Sequence, residues 1–288
     1  KCLAMSPDGR FVAGGRSDAQ VWIFDVEKNK KVAATERLDK LDQVTSIIFT
    51  PDGKHVLGGG YKGIVQVWDF QEGVLKPGKQ FVGHSVEIKS LACSPDGKFV
   101  LSGDREGRLR YWDLESCREQ HVWADFRQGA NAVRFLPDGK SALATDGGNL
   151  FRLNLKSGAA EKTKLDPNSG YAHAAEFSRD GKYLAVSVGS EVLVWQTTDV
   201  TKQAAKLAKS RGVIWTVGFT PDGKQLLTGA DKTLNIWDLQ SGNQVNEAFV
   251  GPIGYVQTFG VSADGKRLTS IISMAGQPLK VFAMPAAR

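Results

Sequence analysis

Histidine and cysteine are scarce in this chain of 288 residues, at four and three. No two of the histidines, His55, His84, His121 and His173, stand at metal-ligand spacing, and Cys2, Cys93 and Cys117 form no zinc-type set. An odd cysteine count argues against a disulfide framework and leaves these thiols as small apolar groups, which leans toward a reducing, cytoplasmic setting. Nothing else in the sequence marks a compartment. No apolar run is long enough to span a bilayer as a helix, so no membrane insertion is expected. No serine sits in a nucleophile-elbow pattern, and no loop gathers the carboxylates of a calcium site. No catalytic residues, no metal and no cofactor are therefore expected, although an active central channel stays open as an alternative.

Charge of one sign is only mildly in excess: 37 lysines and arginines against 31 aspartates and glutamates give a net +6. The densest basic stretch is Lys202, Lys206, Lys209 and Arg211. It reads as the solvated edge of a strand, and nucleic-acid binding there is the lesser reading. With 41% hydrophobic residues the chain can bury a substantial core.

What is abundant is repetition. A turn recurs as Ser6-Pro7-Asp8-Gly9, Thr50-Pro51-Asp52-Gly53, Ser94-Pro95-Asp96-Gly97, Leu136-Pro137-Asp138-Gly139, Ser178-Arg179-Asp180-Gly181, Thr220-Pro221-Asp222-Gly223 and Ser262-Ala263-Asp264-Gly265. The steps between its aspartates are 44, 44, 42, 42, 42 and 42 residues. Proline presets the turn dihedral, aspartate bonds back to the backbone, and glycine accepts positive φ. Alternating strands flank each turn, as in residues 86–93 and 99–103, and a third strand follows, ending Tyr111-Trp112-Asp113 in the third copy. A period of about 40–45 residues with four short strands per unit is the mark of a propeller blade. Gly58-Gly59-Gly60 has no helix behind it and reads as a small-residue strand end, not a phosphate loop.

The Trp-Asp ends at Trp68-Asp69, Trp112-Asp113 and Trp237-Asp238, with their upstream turns, resemble the WD-repeat (WD40) β-propeller family over essentially the whole chain, and look like its bacterial members. The resemblance implies an all-β fold: a single closed seven-bladed β-propeller over residues 1–288, of four-stranded antiparallel blades, the last lacking its outer strand. The chain opens at Lys1 inside a motif, which suggests a monomeric propeller within a longer, multidomain chain. The family's structural hydrogen-bond relay maps onto His84, Ser102 and Trp112 in the third copy and onto Thr228, Asp231 and Trp237 in the sixth. Glu106 stands where the family usually has Asp, and Ser210 replaces the sixth copy's histidine, so the relay is expected to be incomplete in every copy.

In this family partners dock on the upper face. Counting back from each turn aspartate, and taking the residue before each relay position, places Tyr61, Lys89, Arg105, Asn131, Tyr171, His173, Trp215, Tyr255 and Gln257 there, with Gln43, Thr45, Glu87 and Ser17 beside them. Tyrosine, tryptophan and arginine dominate protein interfaces because they bury much area at low entropy cost. The resemblance thus implies a non-catalytic scaffold for a protein or peptide partner. Lactonase-like or Tol-system-like propellers that use the central channel are the alternative.

Overall fold

The computed structural model describes residues 2–165, 172–207, 212–262, 264–272 and 280–283. Every element among them is a β-strand. Four strands form the first sheet, in sequence order: β1 (Cys2–Met5), β2 (Phe11–Gly15), β3 (Val21–Asp25) and β4 (Lys30–Ala34). The second holds β5 (Val44–Phe49), β6 (His55–Gly60), β7 (Val65–Gln71) and β8 (Val74–Phe81). The third holds β9 (Ile88–Cys93), β10 (Phe99–Asp104), β11 (Leu109–Asp113) and β12 (Glu119–Trp123). The fourth holds β13 (Ala132–Phe135), β14 (Ser141–Thr145), β15 (Asn149–Asn154) and β16 (Ala160–Lys164). The fifth holds β17 (Ala172–Phe177), β18 (Tyr183–Val188), β19 (Glu191–Gln196) and β20 (Asp199–Leu207). These are four-stranded antiparallel propeller blades.

The sixth sheet departs from the expected pattern of separate blades. It has six strands in sequence order: β21 (Thr216–Phe219), β22 (Gln225–Gly229), β23 (Asp231–Asp238), β24 (Gln244–Val261), β25 (Arg267–Ile272) and β26 (Lys280–Ala283). The 18-residue β24 is the reason. Its first part pairs with β23, and its second part, from Val256 to Val261, pairs with β25 without an intervening loop. Among the described residues the strands of the seventh copy, the second part of β24 with β25 and β26, are joined to the sixth blade through β24.

The turns fold as their residues dictate. In the third copy Gly97 takes φ +74°, the Ser94 hydroxyl donates to Asp96 Oδ1 at 2.6 Å, and Asp96 Oδ1 accepts the Lys98 N–H at 3.1 Å. Ser94 Oγ also accepts the Phe99 N–H at 2.9 Å, so one side chain ties both ends of the turn. The fourth copy has Leu136 in place of that hydroxyl, and Asp138 accepts the N–H of Lys140 and of Ser141 instead.

The chain divides into two compact units, residues 1–146 with 153–160, and residues 147–152 with 161–288. In the first unit the apolar clusters lie between successive blades. One joins Phe11, Val21 and Ile23 of the first to Val44, Val56 and Trp68 of the second. Another joins Leu57, Val67 and Phe81 of the second to Ile88, Val100 and Trp112 of the third. The second unit repeats the scheme, with Ala185, Val192 and Val194 packed against Val217, Leu226 and Trp237. Alternation puts one face of each strand toward each neighbouring blade, so both faces are apolar.

Candidate functional site

In the first unit one strip is assembled from successive blades, where the loop after each second strand meets the chain leading into the next blade. Tyr61, between β6 and β7, donates its N–H to Leu41 O at 2.9 Å and Gln43 O at 3.0 Å. Gly63 takes φ +80°, and a Cβ there would lie 2.5 Å from His84 O, so this loop is pressed against residues 84–86. The Arg105 N–H, between β10 and β11, donates to Glu87 O at 2.9 Å. Beside it a Cβ on Gly129 would lie 3.1 Å from Arg105 O. Asn131 Nδ2 donates to Asp146 O at 3.1 Å. Tyr61, Glu87, Arg105 and Asn131 therefore sit on loops fixed by backbone bonds, and Lys89 follows on β9.

Exposure separates these residues. Tyr61 is 42% exposed, and Lys89 and Arg105 are exposed, whereas Asn131 is half-buried with its amide in use. Thr45 is committed to the fold: its hydroxyl lies 2.7 Å from Ile88 O of the next blade and 3.0 Å from Gly59 O. Ser90 acts likewise, donating to Ala130 O at 2.7 Å. These cross-blade hydroxyl bonds carry no repeat signature and were not foreseen.

In the second unit Trp215 precedes β21, is 46% exposed, and donates its N–H to Gly229 O at 2.9 Å. Tyr171 lies outside the described residues, as do Lys209 and Arg211. His173, Tyr255 and Gln257 lie on described strands, but their side chains are outside what is described, as are those of Lys202 and Lys206. Residues 199–207 are the strand expected of the basic edge.

The relay of the third copy is complete, which corrects the expectation. His84 Nδ1 lies 2.7 Å from Asp104 Oδ2 and its Nε2 lies 2.8 Å from Ser102 Oγ, which accepts the Trp112 indole N–H at 2.8 Å. The carboxylate comes from Asp104, at the end of β10, not from position 106. Glu106 points outward and pairs with Arg108 at 2.8 Å. The signal was an aspartate directly after Ser102-Gly103. Burial pushes the Asp104 carboxyl up, but the bonds from His84 and from the Arg108 N–H outweigh it and hold it below its ordinary value. In the sixth copy Trp237 Nε1 donates to Thr228 Oγ1 at 2.9 Å, and the Asp231 side chain is not among those described.

Ser102, His84 and Asp104 have the connectivity of a nucleophilic triad, yet Ser102 and Asp104 are fully buried and Ser102 Oγ already accepts the indole N–H. No substrate atom can reach that hydroxyl. Burial also raises the Cys2 thiol to about 11 and the Cys93 thiol to about 12, far from the thiolate form at neutral pH. Among the described residues no three His, Cys, Asp or Glu side chains are placed to hold a metal, and no helix is long and apolar enough to cross a membrane.

The family profile described as WD domain, G-beta repeat matches residues 1–25, 38–69, 75–113 and 202–238. The chain matches no individual curated protein. The fourth, fifth and seventh copies, where Leu153 replaces Trp, Arg179 replaces Pro and Ala263 replaces Pro, fall outside the matched spans. With four-stranded antiparallel blades and WD40 repeats matched in four spans, the chain is a β-propeller that carries WD40 repeats.

Proposed function

We propose that the chain is a non-catalytic docking platform that holds a protein or peptide partner on the strip carrying Tyr61, Lys89, Arg105 and Asn131. One observation carries this reading. Among the described residues the large exposed hydrophobics are Tyr61, Val74, Val82, Trp215 and Val245, and the two aromatics in that set both stand at positions picked from the repeat as partner-facing. An aromatic ring on a loop pinned by backbone bonds loses little entropy on binding, which is what an interface anchor needs. A scaffold role also agrees with a buried Ser-His-Asp set that substrate cannot reach. The seven copies of the turn support counting seven repeats, with the second part of β24, β25 and β26 as the last.

Tyr61→Ala tests the reading against any partner recovered by cross-linking to the wild-type chain. Tyr61→Ala is expected to weaken binding by about 2 kcal/mol or more while leaving the melting temperature in place. Undiminished binding, or an unfolded Tyr61→Ala chain, overturns it.

A further inference from the structure

We infer that the partner of this strip is an acidic peptide segment, its carboxylates set against Arg105 and Lys89 and an apolar side chain against Tyr61. This rests on the docking reading above and adds the chemistry of the occupant. A cation already neutralised by a neighbouring acid has little charge left to offer a partner. Arg16 pairs with Asp18 at 3.1 Å, Arg37 with Asp39 at 2.8 Å and Arg108 with Glu106 at 2.8 Å, each with an acid two residues along its own loop. Arg105, like Arg118 and Arg127, is in no ion pair among the described residues, but of these three it alone stands at a partner-facing position, its backbone locked onto Glu87 O. Lys89 reaches Glu87 only at 3.9 Å, and the Glu87 side chain is 18% exposed against 40% for Lys89. The strip therefore shows solvent two cations beside an exposed phenol ring, while its acids are drawn elsewhere: Glu106 pairs with Arg108 at 2.8 Å, and the Glu87 side chain is only 18% exposed. An unpaired guanidinium on a backbone-fixed loop suits bidentate contact with a carboxylate, and complementary charge sets specificity and encounter rate.

A random dodecapeptide phage library panned on the chain, with the selected peptides synthesised and their affinities read by fluorescence anisotropy, tests this. Glu and Asp are expected to be enriched beside an aliphatic or aromatic residue. Affinity is expected to fall at least tenfold in Lys89→Glu/Arg105→Glu, and to fall when 50 mM salt is raised to about 300 mM. Peptides that need Tyr61 but carry no acidic residues, and bind the charge-reversed chain equally, overturn the acidic partner and leave the docking reading standing. Selection of no Tyr61-dependent peptide overturns both.

Discussion

Trp112 and Trp68 occupy the same place in consecutive blades and differ in what meets the indole nitrogen. Trp112 donates to Ser102 at 2.8 Å, whereas the Trp68 N–H is fully buried and meets no partner among the described residues. The position of Ser102 is taken in the second blade by Gly58, and a Cβ there would fall 2.8 Å from Trp68 Cζ3. A hydroxyl cannot simply be restored. Tryptophan-to-phenylalanine removes similar volume at both sites, but only at Trp112 does it break a buried hydrogen bond. Trp112→Phe is thus expected to cost about 1–2 kcal/mol more than Trp68→Phe in urea denaturation, because an orphaned donor contributes no bond to lose. The resemblance to WD repeats pointed to His84, Ser102 and Trp112 as relay residues. It missed the carboxylate because Asp104 stands two residues before the position the repeat assigns to it, although an aspartate directly after Ser102-Gly103 was there to be read.

Six of the seven turns share one device, a hydroxyl bonded to the turn aspartate. At Asp96, Asp222 and Asp264 the hydroxyls of Ser94, Thr220 and Ser262 are the main cause that lowers the carboxyl below its ordinary 3.8. At Asp52 and Asp180 burial pushes upward and is outweighed by the Thr50 or Ser178 hydroxyl and the following N–H. A carboxyl lowered in the folded state contributes stability that is present above its unfolded value and lost as pH falls through the folded one. Denaturation midpoints are therefore expected to hold from neutrality down to about pH 4 and to drop below it. Asp96→Asn, whose Oδ1 still accepts both bonds, should flatten part of that drop; an unchanged acid profile would refute the turn as its source. The turns were fully legible, since their residue types are dictated by dihedral angles. The fusion of two strands into β24 was not: Gly251, Pro252 and Gly254 are residues that favour a break in a strand, yet pairing to partners on both sides carries the strand through.

At the scale of the whole molecule, apolar clusters are shared between successive blades within each unit. Ile88 opens the third blade, is fully buried, and sits so close to the second that a Cβ on Gly59 would lie 2.5 Å from its Cγ2. Ile88→Ala is expected to cost about 2–5 kcal/mol. Hydrogen exchange should rise in both β6 and β10, since the cavity belongs to both sheets, while the fifth sheet stays protected. Exchange confined to the third sheet would show that the blades are energetically separate. The regular period revealed this stacking, whereas the strip's free charge was illegible, because whether Arg105 or Arg16 finds an acid depends on loop geometry and not on composition. The shared strand β24 has a mechanical corollary. Because one strand bonds first to β23 and then to β25, a pull on β25 and β26 is passed along a single backbone into the sixth blade.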